Sequence, residues 1–248
     1  MENFFILVLG AAIGSFLNVC IYRIPLHESI LYPKSHCSNC NATLKIKDLI
    51  PVFSWIFLRG RCRYCRSFIG RSLIIIEIVM MIATYWLYYM FGLTTIFVTG
   101  ILFFCFLFCI AVIDYFHGCI LDRMLLPMGV LGIFVKIFLL GHAYENFLGG
   151  FVLGGGSLLF LFFCTKGGMG GGDIKFAAVL GLWLGWQYML LVLFLAFFAG
   201  GIFSTLVLTL GIKKRTDMVP FGPFLSGAAY ISFLYGSQII EFYREMIL

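Results

Sequence analysis

Two kinds of residue in this sequence have the type and spacing to do chemistry: paired cysteines, and carboxylates at the ends of apolar runs. Cys37-Ser38-Asn39-Cys40 and Cys62-Arg63-Tyr64-Cys65 form two CxxC pairs separated by 21 residues. Each CxxC turn presents two thiolates to one ion, and tetrahedral zinc takes four. The interval slightly exceeds the commonest window for such sites. His36 adjoins Cys37 as an alternative ligand, and Arg61, Arg63 and Arg66 stand where they would offset the negative charge of a zinc tetrathiolate. Two disulfides, or four unliganded thiols, are the other readings. A closed four-thiolate shell leaves no position for substrate water, so a metal here would be structural.

Of eleven acidic residues, Glu77, Asp114, Asp122 and Asp173 lie within or at the ends of apolar segments. Ionisable groups in such places are costly and by default mark function. Asp114 closes the run Ala111-Val112-Ile113, and Asp173 follows Gly170-Gly171-Gly172. Glycine permits backbone angles and approaches closed to other residues, so Asp173 can be presented on an unusual turn. Two carboxylates at one site suit acid–base hydrolysis of an amide: one takes a proton from water while the other, protonated, polarises the carbonyl. Each acid also has a plainer reading. An aspartate at a helix start is commonly an N-cap, and Asp122 before Arg123 and Met124 fits that role.

The elements that carry these residues are set by hydropathy. Only 11% of the 248 residues are charged and 62% are hydrophobic, with a mean hydropathy of +1.06. Soluble domains average about 25% charged residues, so this composition belongs in a bilayer. A span needs roughly 20 apolar residues. Such segments run over about 4–22, 73–92, 95–113, 124–140, 146–164 and 222–242, and the stretch 174–211 is long enough for two, broken near Trp186 and Gln187. The expected fold is an all-α integral membrane protein of about eight transmembrane helices. Residues 1–22 form the first helix, 23–72 a hydrophilic insertion and 73–248 a seven-helix membrane region. Glu2 precedes the first apolar run and positive charge follows it, which predicts a retained helix with its amino terminus outside. The segment after Asp173 is about fourteen residues, roughly 21 Å of helix. It falls short of the hydrocarbon thickness of about 30 Å, which would leave Asp173 in a wet recess.

The net charge of +6 is read as topology rather than nucleic-acid binding. Nine of the seventeen Lys and Arg residues fall in 23–72. With that loop inside, Arg123, Lys166, Lys175, Lys213, Lys214 and Arg215 join it, leaving only Lys136 and Arg244 outside. Cytoplasmic loops retain basic residues, so the loop and both aspartates are placed on the cytoplasmic side of a bacterial inner membrane. A reducing cytoplasm disfavours disulfides at the CxxC pairs. Of the two glycine-rich stretches, 149–156 lies in or beside a span, where small residues let helices approach; 167–172 lies in a loop.

At this point the residues resemble a known family, the bacterial type IV prepilin peptidases, bifunctional leader peptidase/N-methyltransferases. The resemblance begins with Gly14-Ser15-Phe16-Leu17-Asn18-Val19 and Tyr22-Arg23-Ile24-Pro25 and continues through the double CxxC. Between its halves stand Leu49-Ile50-Pro51-Val52-Phe53-Ser54-Trp55 and Arg59-Gly60-Arg61. Glu77, Ile113-Asp114, Gly170-Gly171-Gly172-Asp173-Ile174-Lys175 and Pro220-Phe221-Gly222-Pro223-Phe224 follow.

The resemblance implies a GxGD-type intramembrane aspartyl protease with Asp114 and Asp173 as its pair and Gly170 and Gly172 as the motif glycines. It implies cleavage after glycine in the short basic leaders of type IV prepilins or type II secretion pseudopilins. It also implies methylation of the new amino terminus from S-adenosylmethionine, the zinc loop being a feature of bifunctional members. One departure is visible: where the family often has Pro-Asp, Leu121 precedes Asp122. Lys175 either tunes the aspartates, contacts substrate or is a snorkelling structural lysine. Asn18, Arg23 and Glu77 are candidates for cofactor or substrate-amine contacts, with helix capping, headgroup contact or loop anchoring as the alternatives. Two other classes are compatible with the composition: a transporter using acidic proton relays, which would place acids near mid-membrane, and a non-catalytic zinc-bearing assembly factor.

Overall fold

The computed structural model describes residues 1–139, 144–211 and 219–247. In chain order the helices are α1 (Glu2–Arg23), α2 (Phe53–Phe57), α3 (Arg71–Phe91), α4 (Thr95–His117), α5 (Asp122–Phe134), α6 (Tyr144–Cys164), α7 (Gly171–Leu184), α8 (Trp186–Thr209) and α9 (Gly222–Ile247). A 3-10 turn covers Ile46–Asp48, and a π-helical turn, Val135–Leu139, continues α5. Two compact units result, Met1–Phe97 and Val98–Leu248.

Among the described residues, five helices are long and apolar enough to cross a bilayer: Glu2–Arg23, Arg71–Phe91, Thr95–His117, Glu145–Cys164 and Trp186–Thr209. This is the part of the eight-span expectation that length and composition carry. The other three expected spans coincide with α5, α7 and α9 but differ in kind. α5 has 13 residues before its π turn and α7 has 14, each well under the roughly 20 a span needs. α9 has 26 residues but carries Ser226, Ser232, Ser237 and Gln238 along its length. The α7–α8 break falls at Gly185, whose φ of +84° closes α7 and opens α8. Lys213, Lys214 and Arg215, used above for orientation, lie outside the described residues.

In the first unit α1 lies against α3. Gly10 and Gly14 make this possible: a Cβ on Gly10 would come 2.8 Å from Met81 Cα, and one on Gly14 2.7 Å from Glu77 Cα. This is the small-xxx-small device of membrane helices, where association depends on close packing rather than on hydrophobic burial. The Tyr88 hydroxyl donates to Glu2 at 2.8 Å and ties the other ends of the two helices.

In the second unit the same device joins α6 to α7. A Cβ on Gly150 would sit 2.3 Å from Gly181 O, and one on Gly154 2.3 Å from Ala177 O. The glycine stretch 149–156 thus does what the sequence led us to expect. Trp183 of α7 donates its indole N–H to Met128 O of α5 at 2.8 Å, with Gly132 leaving room for the ring. Phe103 of α4 stacks on Trp183 at 4.9 Å, and Phe104 meets Tyr230 of α9 at 4.4 Å. α7 is therefore held on several sides while large apolar groups such as Phe160, Phe194 and Phe198 stay exposed. Such outward apolar surface suits lipid rather than water.

Candidate active site and cysteine centre

Asp114 and Asp173 come from different helices of the second unit and lie within Coulombic reach of one another. Asp114 sits three residues before the end of α4 and is buried, 4% exposed. The first backbone N–H of α9, that of Gly222, donates to Asp114 Oδ2 at 2.9 Å. A helix N-terminus is a natural partner for a carboxylate, since its leading N–H groups lack intrahelical acceptors. Asp173 lies in the first turn of α7, half-buried, with its N–H on Gly170 O at 3.1 Å. Three of the glycines around the acids are tightly packed, while Gly171 faces open space. A Cβ on Gly170 would come 2.9 Å from Asp173 Oδ2, one on Gly172 3.0 Å from Ile120 Cβ, and one on Gly222 2.6 Å from Asp114 Oδ2.

Asp122 does not cap α5. The residue at the N-cap is Leu121, and no side chain caps the helix. The Asp122 carboxylate instead accepts both of its bonds from Lys175 Nζ, at 2.8 and 3.0 Å. The ammonium of Lys175 competes for that carboxylate and bridges the starts of α5 and α7. Both groups are well exposed, so the pair sets geometry more than stability.

The four cysteines of the insertion converge. Their Sγ atoms all lie within 4.8 Å of one another, and Cys37 Sγ and Cys65 Sγ are 3.8 Å apart. Zinc–sulfur bonds near 2.3 Å in a tetrahedron space sulfurs by about 3.8 Å, so the donor set fits zinc. Both CxxC pairs fold alike. Cys37 N–H donates to Ala42 O and Asn41 N–H to Cys37 O, while Cys62 N–H donates to Ser67 O and Arg66 N–H to Cys62 O. Asn41 and Arg66, each just after the second cysteine, take positive φ. Cys37, Cys40, Cys62 and Cys65 are not joined by disulfides. The Ser67 hydroxyl, 3.0 Å from Cys65 Sγ, together with Ser67's backbone and the Asn39 side chain, lowers the Cys65 thiol to about 6. Thiolate is the form that binds metal. His36 does not join the four sulfurs; its ring turns to Lys34 O. Arg63 is not free to balance the cluster's charge either, because its guanidinium holds Asp48.

The comparisons with known proteins converge on one group. Residues 8–91 match the bacterial peptidase A24 N-terminal domain, and residues 101–205 match the type IV leader peptidase family. A prepilin leader peptidase/N-methyltransferase of Bacillus subtilis is 32% identical over 248 residues, covering 97% of each chain. Those of Stutzerimonas stutzeri and Pseudomonas aeruginosa are 30% identical over 267 residues, covering 96% of this chain and 92% of theirs. The chain belongs to the type IV leader peptidase family. No solved structure matches it.

The first matched region lies within the first compact unit and the second within the second, ending before α9. The remaining candidates lie in the first. Asn18, Arg23 and Glu77 line one cavity there, bounded also by the cysteine loop. Each side chain anchors backbone: Asn18 Nδ2 donates to Leu73 O at 3.0 Å, Arg23 to Ser29 O at 2.9 Å, and Glu77 accepts from Val52 N–H at 2.7 Å. Arg23 and Glu77 thus hold loop backbone, whereas Asn18 joins α1 to the first turn of α3. Two contributions went unread in the sequence: the Gly222 amide on Asp114, and the Asp48–Arg63 pair that closes the cysteine loop. Pro220-Phe221-Gly222-Pro223 marked the first as a helix start, but nothing local pointed to an acid 108 residues away.

Proposed function

We propose that this chain is a membrane aspartyl endopeptidase that cleaves the short basic leaders of type IV prepilins or type II secretion pseudopilins after glycine, then N-methylates the new amino terminus. What supports the peptidase half is that Asp114 and Asp173 lie within Coulombic reach of one another, with Asp114 held by the first amide of α9. One carboxylate takes a proton from the attacking water while its protonated partner donates to the scissile carbonyl oxygen. The roles then reverse, as the leaving amine collects a proton. The Gly222 N–H holds Asp114 in place, and Gly170, Gly172 and Lys175 shape the turn that carries Asp173. The pair titrates as a unit.

Cys37, Cys40, Cys62 and Cys65 are assigned to one structural zinc, which closes a loop with little core of its own. S-adenosylmethionine supplies an electrophilic methyl group, and Asn18, Arg23 and Glu77 are assigned to that half of the activity. Eight membrane passages, with α5, α7 and α9 joining the five long apolar helices, put the amino terminus outside. The loop and the aspartates then face the cytoplasm of a bacterial inner membrane.

Purified protein incubated with a short-leader prepilin tests both halves. Mass spectrometry is expected to find a single cut after the leader glycine, with a methyl group on the new terminus only when S-adenosylmethionine is present. An intact substrate under both conditions would refute the assignment.

A further inference from the structure

The first unit contains a cavity of about 600 Å³ walled by α1, α3 and the cysteine loop. Small-molecule sites run from about 300 to 1,000 Å³. Phe16, Tyr22 and Trp55 give it aromatic walls, and Glu77 lies on its lining. Three features of the residues around it favour ligand binding. Glu77 is 9% exposed and accepts from the Val52 N–H and the Ser15 hydroxyl, but among the described residues no Lys or Arg pairs with it. A carboxylate removed from water without a cation is costly. The indole Nε1–H of Trp55 is buried with no hydrogen-bond partner, although buried tryptophans ordinarily find one. Val52, whose N–H meets Glu77, is a β-branched residue held at φ +62°. Such strain persists where surrounding structure enforces it and gathers at functional sites.

We propose that this cavity binds the sulfonium methyl donor, a positively charged adenosyl compound, with Glu77 opposite the cationic sulfur and Trp55 Nε1–H donating to an acceptor on the ligand. The inference rests on the methyl-transfer reading above and assigns it a place. Aromatic walls suit both a purine ring and a sulfonium charge. In the transfer, the lone pair of the uncharged peptide amine forms the new N–C bond. The C–S bond breaks with its electron pair left on sulfur as a neutral thioether. The positive charge passes to nitrogen, which then releases a proton to solvent. Glu77 faces a cation before and after the step, and Gly14 sets its place by bringing α1 onto α3.

Direct binding to the full-length protein in detergent is the test, with S-adenosylmethionine as the cationic probe and S-adenosylhomocysteine as the neutral one. The wild-type protein is expected to prefer the cation by about tenfold, as one charge-assisted contact would give. Glu77→Gln should erase that preference, and Trp55→Phe should weaken both ligands alike. Ultraviolet crosslinking of labelled donor to the wild-type chain gives a readout that needs no variant, and should mark peptides between residues 15 and 77. A preference that survives Glu77→Gln, or crosslinks confined to residues 98–248, overturns the proposal while leaving the methyltransferase reading intact. Failure of the wild-type chain to bind either compound removes both.

Discussion

The amide of Gly222 donates to Asp114 Oδ2 at 2.9 Å, joining the first turn of α9 to the end of α4 across 108 residues of sequence. This contact fixes the rotamer of one aspartate and leaves no space for a side chain at 222, since a Cβ there would meet the same oxygen at 2.6 Å. Gly222→Ala should therefore displace Asp114 and slow prepilin cleavage by about a hundredfold, the usual cost of a misplacement near 1 Å. Methylation of a precut peptide should be unaffected. Single-turnover cleavage of the two proteins measures the difference.

The α6–α7 contact makes a separate demand. Gly154 meets the backbone of Ala177 too closely for any Cβ, and α7 carries Asp173 at its start. Gly154→Leu is expected to destabilise the protein by about 1–3 kcal/mol, the range for overpacking, and to lower cleavage with it. Thermal unfolding in detergent and a cleavage assay should move together; a stable Gly154→Leu protein with full activity would disprove the packing account.

Zinc content tests the cysteine centre. One zinc per chain is expected by elemental analysis, and Cys37→Ser with Cys65→Ser should reduce it to near zero. The loop should then become a preferred target of trypsin, because metal binding and folding are coupled in such small modules. Well under one zinc in the wild-type protein would reject the site.

Asp48 gives a pH-dependent prediction. The hydrogen bond from the Arg63 guanidinium holds its carboxyl below the usual range. Its folded value lies under the unfolded one near 3.9, so its contribution is complete above about pH 4 and fades as pH falls through the folded value. Asp48→Asn should make the loop more sensitive to protease by a constant factor between about pH 5 and 8. Because Arg63 is half-exposed, the effect should be worth no more than about 1 kcal/mol. A difference between the two proteins that grows with pH across that window would contradict the assignment.

Some of this was legible in the residues and some was not, for physical reasons. The CxxC pairs announced themselves because four thiols at short spacing have few other uses, and their sulfurs do meet. Gly170-Gly171-Gly172 pointed to Asp173 through the close approaches glycine allows, which Gly170 and Gly172 do make, but all three take ordinary negative φ rather than the unusual turn expected. The brevity of α7 could be counted before its ends were seen, at fourteen residues. Asp122 was misread because local sequence favours an N-cap, whereas a lysine 53 residues away takes the carboxylate. The same distance limit hid the Gly222 amide and the pairing of Arg63 with Asp48. Hydropathy marked where helices lie but does not separate short helices such as α5 and α7 from the five long apolar ones.

The central claim is that Asp114 and Asp173 form one reactive unit. Cleavage of a short-leader prepilin by Asp114→Asn, Asp173→Asn and the double variant tests it most directly, with bound zinc and thermal stability checked alongside. Residues that act as a unit are non-additive, so each single change should abolish cleavage and the double change should do no further harm. Single variants that retain wild-type cleavage, or losses that multiply in the double variant, would contradict it.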